Sequence, residues 1–290
     1  MVTVILIVSV KSSKKTSNMP DNQISRYFKT DMASTSSIFK LHTAYNQITI
    51  RQDGDLLNLY AGEGVRQSTI NLKSPHKLEL KNLSHLMGIL LFLSEPANIL
   101  ILGTAGGSLI HFFRKHYPQC LITAVDIDAE LLAAMHQKMA LPLSDARLSY
   151  VIDDALHYLK NCDQVFDLII SDVFIGNQSP AWLLEADSMR QFSDRLSEQG
   201  GLACNLLINS EHQFDQYYRD LQRIFNRQTI SLSVEGLDNT LTYALRNTPP
   251  QREMTGYMQR AVELSERHDL PYLEILSTIF TTNPGGQGIL

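Results

Sequence analysis

From Asn98 to Arg246 the chain alternates short apolar runs with amphipathic stretches of about ten residues. Five runs read as strands: Asn98–Leu102, Leu121–Val125, Arg147–Ile152, Phe166–Ser171 and Gly201–Leu207. Ser108–His116, Ala129–Met139, Ala155–Lys160 and Asp187–Leu196 lie between them with helical spacing, and Ser210–Phe225 follows the last. Strands that are apolar along their whole length are buried on both faces, so the pattern predicts a parallel sheet covered by helices on each side. Thr229–Val234 and Thr240–Arg246, around the turn at Asp238-Asn239, read as a closing strand pair.

Upstream the period shortens to two. Tyr45–Ile50, Leu56–Ala61 after the turn at Asp53-Gly54, and Gln67–Leu72 predict a small antiparallel sheet. Leu78–Leu93 returns to helical spacing, with Leu80, Leu83, Met87, Leu90 and Leu91 on one side, and Pro96 ends it. Pro249-Pro250 precedes helices over Arg252–Arg267 and Pro271–Phe280 and a Gly-rich tail, Thr281–Leu290. The expected organisation is an unstructured extension over 1–40, a β-domain over 41–75, a Rossmann-like domain over 76–247 and C-terminal helices over 248–290. Met1–Val10 is apolar, but a bilayer needs about 20 residues, and the run lacks the flanks of a signal peptide. Met19 and Met32 leave a downstream start open.

Composition narrows the chemistry. Of 290 residues 44% are hydrophobic and 19% charged, with a net charge of −5. That balance fits a globular domain and argues against duplex nucleic acid as a partner, which would need clustered Lys and Arg. No membrane partner is expected. Cys120, Cys162 and Cys204 lack ligand or CxxC spacing and read as buried thiols in a reducing, cytoplasmic setting. The nine histidines show no metal-ligand spacing, so no metal is expected; no Ser-His-Asp pattern supports a hydrolase.

The candidate site begins at Gly103-Thr104-Ala105-Gly106-Gly107-Ser108, between the first long strand and its helix. Glycines there let the backbone turn sharply and approach a ligand. Taken alone they are a weak signal, with a plain tight turn as the alternative. Asp126, Asp154 and Asp172 end the next three strands, and ligands of open α/β sheets lie beyond those ends. Asp126 sits where an acid can hold ribose hydroxyls, with Ile127 next to it. Asp154-Ala155 can receive an adenine amino group, although Asp154 also fits a helix N-cap. The turn lacks the dinucleotide register, with alanine at 105 and Ser108 in the third glycine position, and no Arg or Lys meets a phosphate. A phosphate-free nucleoside is the reading these residues favour.

These segments resemble the spermidine/spermine synthase family, a branch of the class I S-adenosylmethionine methyltransferase fold. The resemblance runs from Thr43-Ala44-Tyr45-Asn46-Gln47 and Gln67-Ser68 through the glycine turn, Val125-Asp126-Ile127-Asp128 and Asp153-Asp154-Ala155. It continues through Phe166 to Asp172, Ser179-Pro180-Ala181-Trp182 and Gly200-Gly201-Leu202. It implies an α/β fold, a Rossmann-like seven-stranded methyltransferase-type sheet preceded by a small antiparallel β-domain. It also implies S-adenosylmethionine or its decarboxylated form as cofactor, a homodimer built with the N-terminal strands, and a small-molecule acceptor such as a polyamine. Asp172 falls where the family deprotonates the attacking amine, and a carboxylate can both bind a cationic amine and take its proton. Gln67, Phe174 and Trp182 are the candidates for lining the acceptor site, with ordinary packing an equal explanation for the two aromatics.

Three departures qualify that picture. The family's turn carries an acid that favours the decarboxylated cofactor; the position here is Gly106. The family holds its diamine with a second aspartate three residues after the catalytic one; Ile175 stands there. Its Tyr-His pair is missing from the corresponding stretch, Asn82-Leu83-Ser84-His85-Leu86-Met87, where His85 could substitute but a helical histidine is more often a packed polar residue. Methyl or another transfer is therefore favoured over aminopropyl transfer to putrescine. A non-catalytic nucleoside-binding scaffold is the alternative from another class, and a nicotinamide dehydrogenase the remotest.

Overall fold

A computed structural model describes residues 36–62, 64–176, 178–249 and 253–283. The expected extension lies outside the described residues as far as 35, and so does the tail from 284.

A four-stranded antiparallel sheet comes first, in the order β1 (Ser36–His42), β2 (Gln47–Asp53), β3 (Leu56–Ala61) and β4 (Val65–Asn71). Three of these strands match the alternating runs. β1 overlaps the end of the expected extension; it pairs with β2 from Ser36↔Gln52 to His42↔Gln47 with an irregularity near Phe39. Its Ser-Ser start and short apolar content hide the period in the sequence.

The predicted helix over 78–93 is two pieces, α1 (Lys81–Leu86) and a 3-10 turn, Met87–Leu91. Every residue from Leu83 to Leu93 is buried, so no solvent face enforces the α-helical period. A Cβ on Gly88 would lie 2.5 Å from the Tyr243 hydroxyl, and that hydroxyl donates to the His85 carbonyl at the end of α1.

The second sheet has seven strands: β5 (Asn98–Leu102), β6 (Leu121–Asp126), β7 (Leu148–Ile152), β8 (Phe166–Ser171), β9 (Leu196–Leu206), β10 (Thr229–Ser233) and β11 (Thr240–Leu245). Their order is β10-β11-β9-β8-β5-β6-β7. The pairs β9-β8, β8-β5, β5-β6 and β6-β7 are parallel, while β11 runs against both neighbours. β9 begins five residues before the predicted strand, because Gly200 and Gly201 let neighbouring chain approach where a Cβ would meet atoms at about 3 Å.

Helices α2 (Ser108–His116), α3 (Ala129–Lys138), α7 (Met254–His268) and α8 (Tyr272–Thr282) contribute to one core layer with the small sheet. Helices α4 (Ala155–Asn161), α5 (Ala186–Asp194) and α6 (Glu211–Ile224) pack on the opposite face. Since β6 and β8 flank β5, the strand order reverses there, the point of an open α/β sheet beyond whose carboxyl ends ligands bind. Among the described residues no helix is long and apolar enough to cross a membrane.

Candidate active site

The turn after β5 is shaped by its glycines. Gly103 has φ +86°, and a Cβ there would stand 2.4 Å from the Asp172 carbonyl oxygen. Gly107 has φ +85°, and its Cβ would lie 2.2 Å from Leu141 Cδ1. Ala105 takes φ +42° despite its side chain, a strained position of the kind that gathers at functional sites.

Gly106 is closed off from the other side. A Cβ there would lie 2.5 Å from Ser68 Oγ and 2.8 Å from Ser68 Cβ. Ser68, on β4, is buried; its hydroxyl is 3.0 Å from that of Ser108, which donates to the Thr69 carbonyl at 3.2 Å. The small sheet thus seals the turn with a serine pair. Gln67 is half-buried beside it.

Asp126 folds back onto the turn. Its Oδ2 accepts from Thr104 N at 2.8 Å and its Oδ1 from Asp128 N at 3.0 Å. Burial raises its carboxyl above the ordinary range, with those backbone donors opposing the shift. Each carboxylate oxygen has a second lone pair, so ribose hydroxyls can still be received. Ile127 and Ile152 expose 40% and 49% of their surface at the ends of β6 and β7, an apolar ledge suited to a base. Asp154 is exposed, and its Oδ1 caps α4 by accepting from His157 N at 3.0 Å, so the N-cap expectation holds. Ala155 is the buried first residue of that helix.

Sequence reasoning missed Asp128. It is buried, caps α3 through Leu131 N at 3.0 Å, and receives Thr43 Oγ1 at 2.5 Å and Asn46 Nδ2 at 2.7 Å. The start of α3 is thereby tied to the loop between β1 and β2. An acid just before a helical run was the available signal.

Asp172 follows β8 in a half-buried position. Its Oδ1 accepts from Asn205 Nδ2 at 2.8 Å, and Asn205 Oδ1 accepts from Asn239 Nδ2 at 2.8 Å. Burial pushes the Asp172 carboxyl up to about 6, with the Asn205 hydrogen bond pulling the other way. A carboxylate so poised is ionised at neutral pH yet basic enough to receive a proton.

The other candidates spread out. Phe174 is half-buried, Ile175 is 45% exposed, and Ile175 N donates to the Gln178 carbonyl at 3.0 Å. Trp182 lies in a 3-10 turn, Ala181–Leu184, partly buried against the core on the α4–α6 face. A cavity of about 210 Å³ opens between the loops after β8 and β9, bordered by Gln178, Ser179, Leu207, Asn209 and Gln213, with no ionisable side chain among the described residues of its wall. His85 is 3% exposed, and its Nδ1 lies 2.9 Å from the Lys81 carbonyl, which makes it a core residue. Cys120 and Cys204 are buried as expected, whereas Cys162 is half-buried; all three are free thiols.

The model of the spermine/spermidine synthase domain matches residues 79–218. A polyamine aminopropyltransferase of Neisseria meningitidis serogroup A is 26% identical over 243 residues, covering 83% of this chain and 92% of that protein. An eEF1A lysine and N-terminal methyltransferase homolog of Drosophila pseudoobscura pseudoobscura is 30% identical over 137 residues, 44% of this chain and 20% of that protein. In fold, the crystal structure of a probable spermidine synthase from Corynebacterium glutamicum superposes with a TM-score of 0.66 at 19% identity, covering 90% of this chain and 98% of that one. The superposition shows a methyltransferase-type architecture, and the domain match with the curated relatives supports a transferase. Over residues 79–218 the chain is similar to the spermine/spermidine synthase domain, and across most of its length to polyamine aminopropyltransferases. Its relatives include aminopropyltransferases and methyltransferases alike.

Proposed function

We propose that the protein transfers a methyl or other alkyl group from S-adenosylmethionine to a small-molecule acceptor held at Asp172. The observation that carries this reading is the contact between Ser68 and Gly106. The place from which the family's acid would repel a methionine carboxylate is filled by a serine side chain. The N-terminus of α2 adjoins the same turn, and its partial positive charge favours a carboxylate.

The glycine turn, the carboxylate of Asp126, the Ile127 ledge and the Asp154-Ala155 corner fit an adenosyl group. When bound, the cofactor supplies an electrophilic carbon on a sulfonium sulfur. Asp172 would hold the acceptor beside that carbon, and its second carboxylate oxygen would take the acceptor's proton as the group is transferred and the cofactor departs as a neutral thioether. The unionisable wall of the neighbouring cavity and the solvent-facing Ile175 suit an acceptor carrying at most one positive charge.

The test is calorimetric titration with S-adenosylmethionine, its decarboxylated form and methylthioadenosine. The expected result is preference for intact S-adenosylmethionine; in the double variant Ser68→Gly/Gly106→Asp the preference shifts toward the decarboxylated form. A clear wild-type preference for the decarboxylated cofactor overturns the reading. Aminopropyl transfer to a polyamine is the second reading, favoured by a match spanning 92% of a curated aminopropyltransferase. It predicts turnover with putrescine. The family resemblance further suggests a homodimer through the small sheet, which sedimentation of the full chain tests.

A further inference from the structure

Asn205 is an unusual residue for its place. It lies near the end of β9 between Cys204 and Leu206, both buried, and is itself 0% exposed. A buried amide costs stability unless its donors and acceptor are met. The parallel register that pairs Ser171 with Cys204 places Asn205 beside Asp172, and the antiparallel register that pairs Asn205 with Leu241 brings the start of β11 to its other side. Asn239, half-buried just before β11, donates to Asn205 Oδ1, and Asn205 donates to Asp172 Oδ1, both at 2.8 Å.

The direction of this chain of amides is fixed at both ends, since the carboxylate can only accept and the Asn239 amide nitrogen donates. An isolated asparagine can offer either its oxygen or its nitrogen to a neighbour. With the Asn239 amide nitrogen on its oxygen, Asn205 must turn its own nitrogen to the carboxylate. The second oxygen of Asp172 has no partner among the described residues.

We propose that Asn205 and Asn239 are positioning residues, a two-amide relay that holds one oxygen of Asp172 and presents the other to the acceptor. The relay reaches from the β10–β11 turn through the buried edge of the sheet to the reacting carboxylate. It contains no cation, so it orients Asp172 without neutralising it, and linked hydrogen bonds of this kind reinforce one another. The proposal rests on the reading of Asp172 as the proton acceptor.

The test reads the carboxyl group itself and needs no known acceptor. The side-chain carboxyl carbon of Asp172 is followed by carbon-13 NMR against pH in the full-length protein and assigned with Asp172→Asn. Asn239→Ala releases Asn205 to rotate, and the midpoint rises by about one unit, a tenfold change in proton affinity. Asn239→Asp has the same shape but accepts where the amide donates, so it draws the Asn205 nitrogen away and gives a larger rise. A packing role predicts the reverse order, with the isostere harmless.

Asn205→Leu/Asn239→Asp separates the relay from simple charge repulsion. Without Asn205 the added effect of Asn239→Asp shrinks; if it persists in full, the relay is overturned. An unmoved midpoint in Asn239→Ala overturns it as well. Methylthioadenosine binding within about twofold of wild type certifies that each variant is folded around the site. Failure of the underlying reading looks different: Asp172→Asn would retain turnover while the titrations still moved.

Discussion

Asp126 and Asp172 flank the central strand at the same edge of the sheet, and burial raises both carboxyls. They are held in opposite ways. Asp126 has backbone N–H groups on both oxygens, one from the glycine turn and one from the start of α3. Asp172 has one side-chain amide on one oxygen. Backbone donors cannot rotate away, so Asp126 is a fixed strut of the turn. The second oxygen of Asp172 stays available for chemistry. Under the proposed function, two acids with similar positions in the strand pattern divide into a binding post and a base.

The largest effect that tests this division is on rate. Asp172→Asn is expected to lower turnover by about 10²–10⁴-fold, the range of a lost general base, while methylthioadenosine affinity stays near wild type. Equal losses of rate and affinity would erase the distinction. Asp126→Asn is expected to do the converse. An amide offers one acceptor where two N–H groups point, so a backbone donor loses its partner at a cost of about 1–3 kcal/mol. Scanning calorimetry should show a lower thermal midpoint, and titration a weaker nucleoside complex. An unchanged midpoint would mean that the strut is not structural.

The carboxylates can also be set against three histidines, His111 and His116 on α2 and His268 on α7. Burial lowers His111 and His116 to about 4 and His268 to about 3. Their unfolded forms titrate near 6.5, so the unfolded chain binds protons that the folded chain refuses. The stability contributed by the neutral histidines is complete above about pH 6.5 and is lost as pH falls toward 4. Asp172 runs the other way: its folded value of about 6 lies above the unfolded 3.8, so acidification through that window favours the fold. The thermal midpoint is expected to fall between pH 6.5 and 4, more steeply in Asp172→Asn and less steeply in His268→Phe. Parallel curves for wild type and Asp172→Asn would remove the carboxyl from this balance.

The architecture was legible because burial on both faces leaves long apolar strands, and their alternation with helices dictates a parallel sheet. The strand-end acids were legible for the same reason, since each terminates an apolar run. Asn205 was visible in principle as the one polar residue in Leu202-Ala203-Cys204-Asn205-Leu206-Leu207. Asn239 was not, because asparagine in a turn needs no further explanation. The contact of Ser68 with Gly106 joins segments 38 residues apart, from different sheets, and no periodicity connects them. The helix over 78–93 was misread where both faces are buried, since amphipathic spacing reports a solvent face that does not exist there.

The smallest expected effect concerns Ala105, and it asks whether the turn is rigid by contacts or by residue choice. Its φ of +42° lies in the left-handed region, where a Cβ costs roughly 1–2 kcal/mol. Ala105→Gly removes that strain, but glycine loses more backbone freedom on folding, about 0.5–1 kcal/mol. The methyl group also packs partly against the core, and that contact is lost. The terms nearly cancel, so the thermal midpoint is expected to move by no more than about 3 °C. Nucleoside affinity should stay unchanged, because Thr104 N is still held by Asp126 and Gly107 N by the Thr104 carbonyl at 2.9 Å. A tenfold loss of affinity with an unmoved midpoint would show that alanine, rather than the Asp126 strut, keeps the turn in its binding shape.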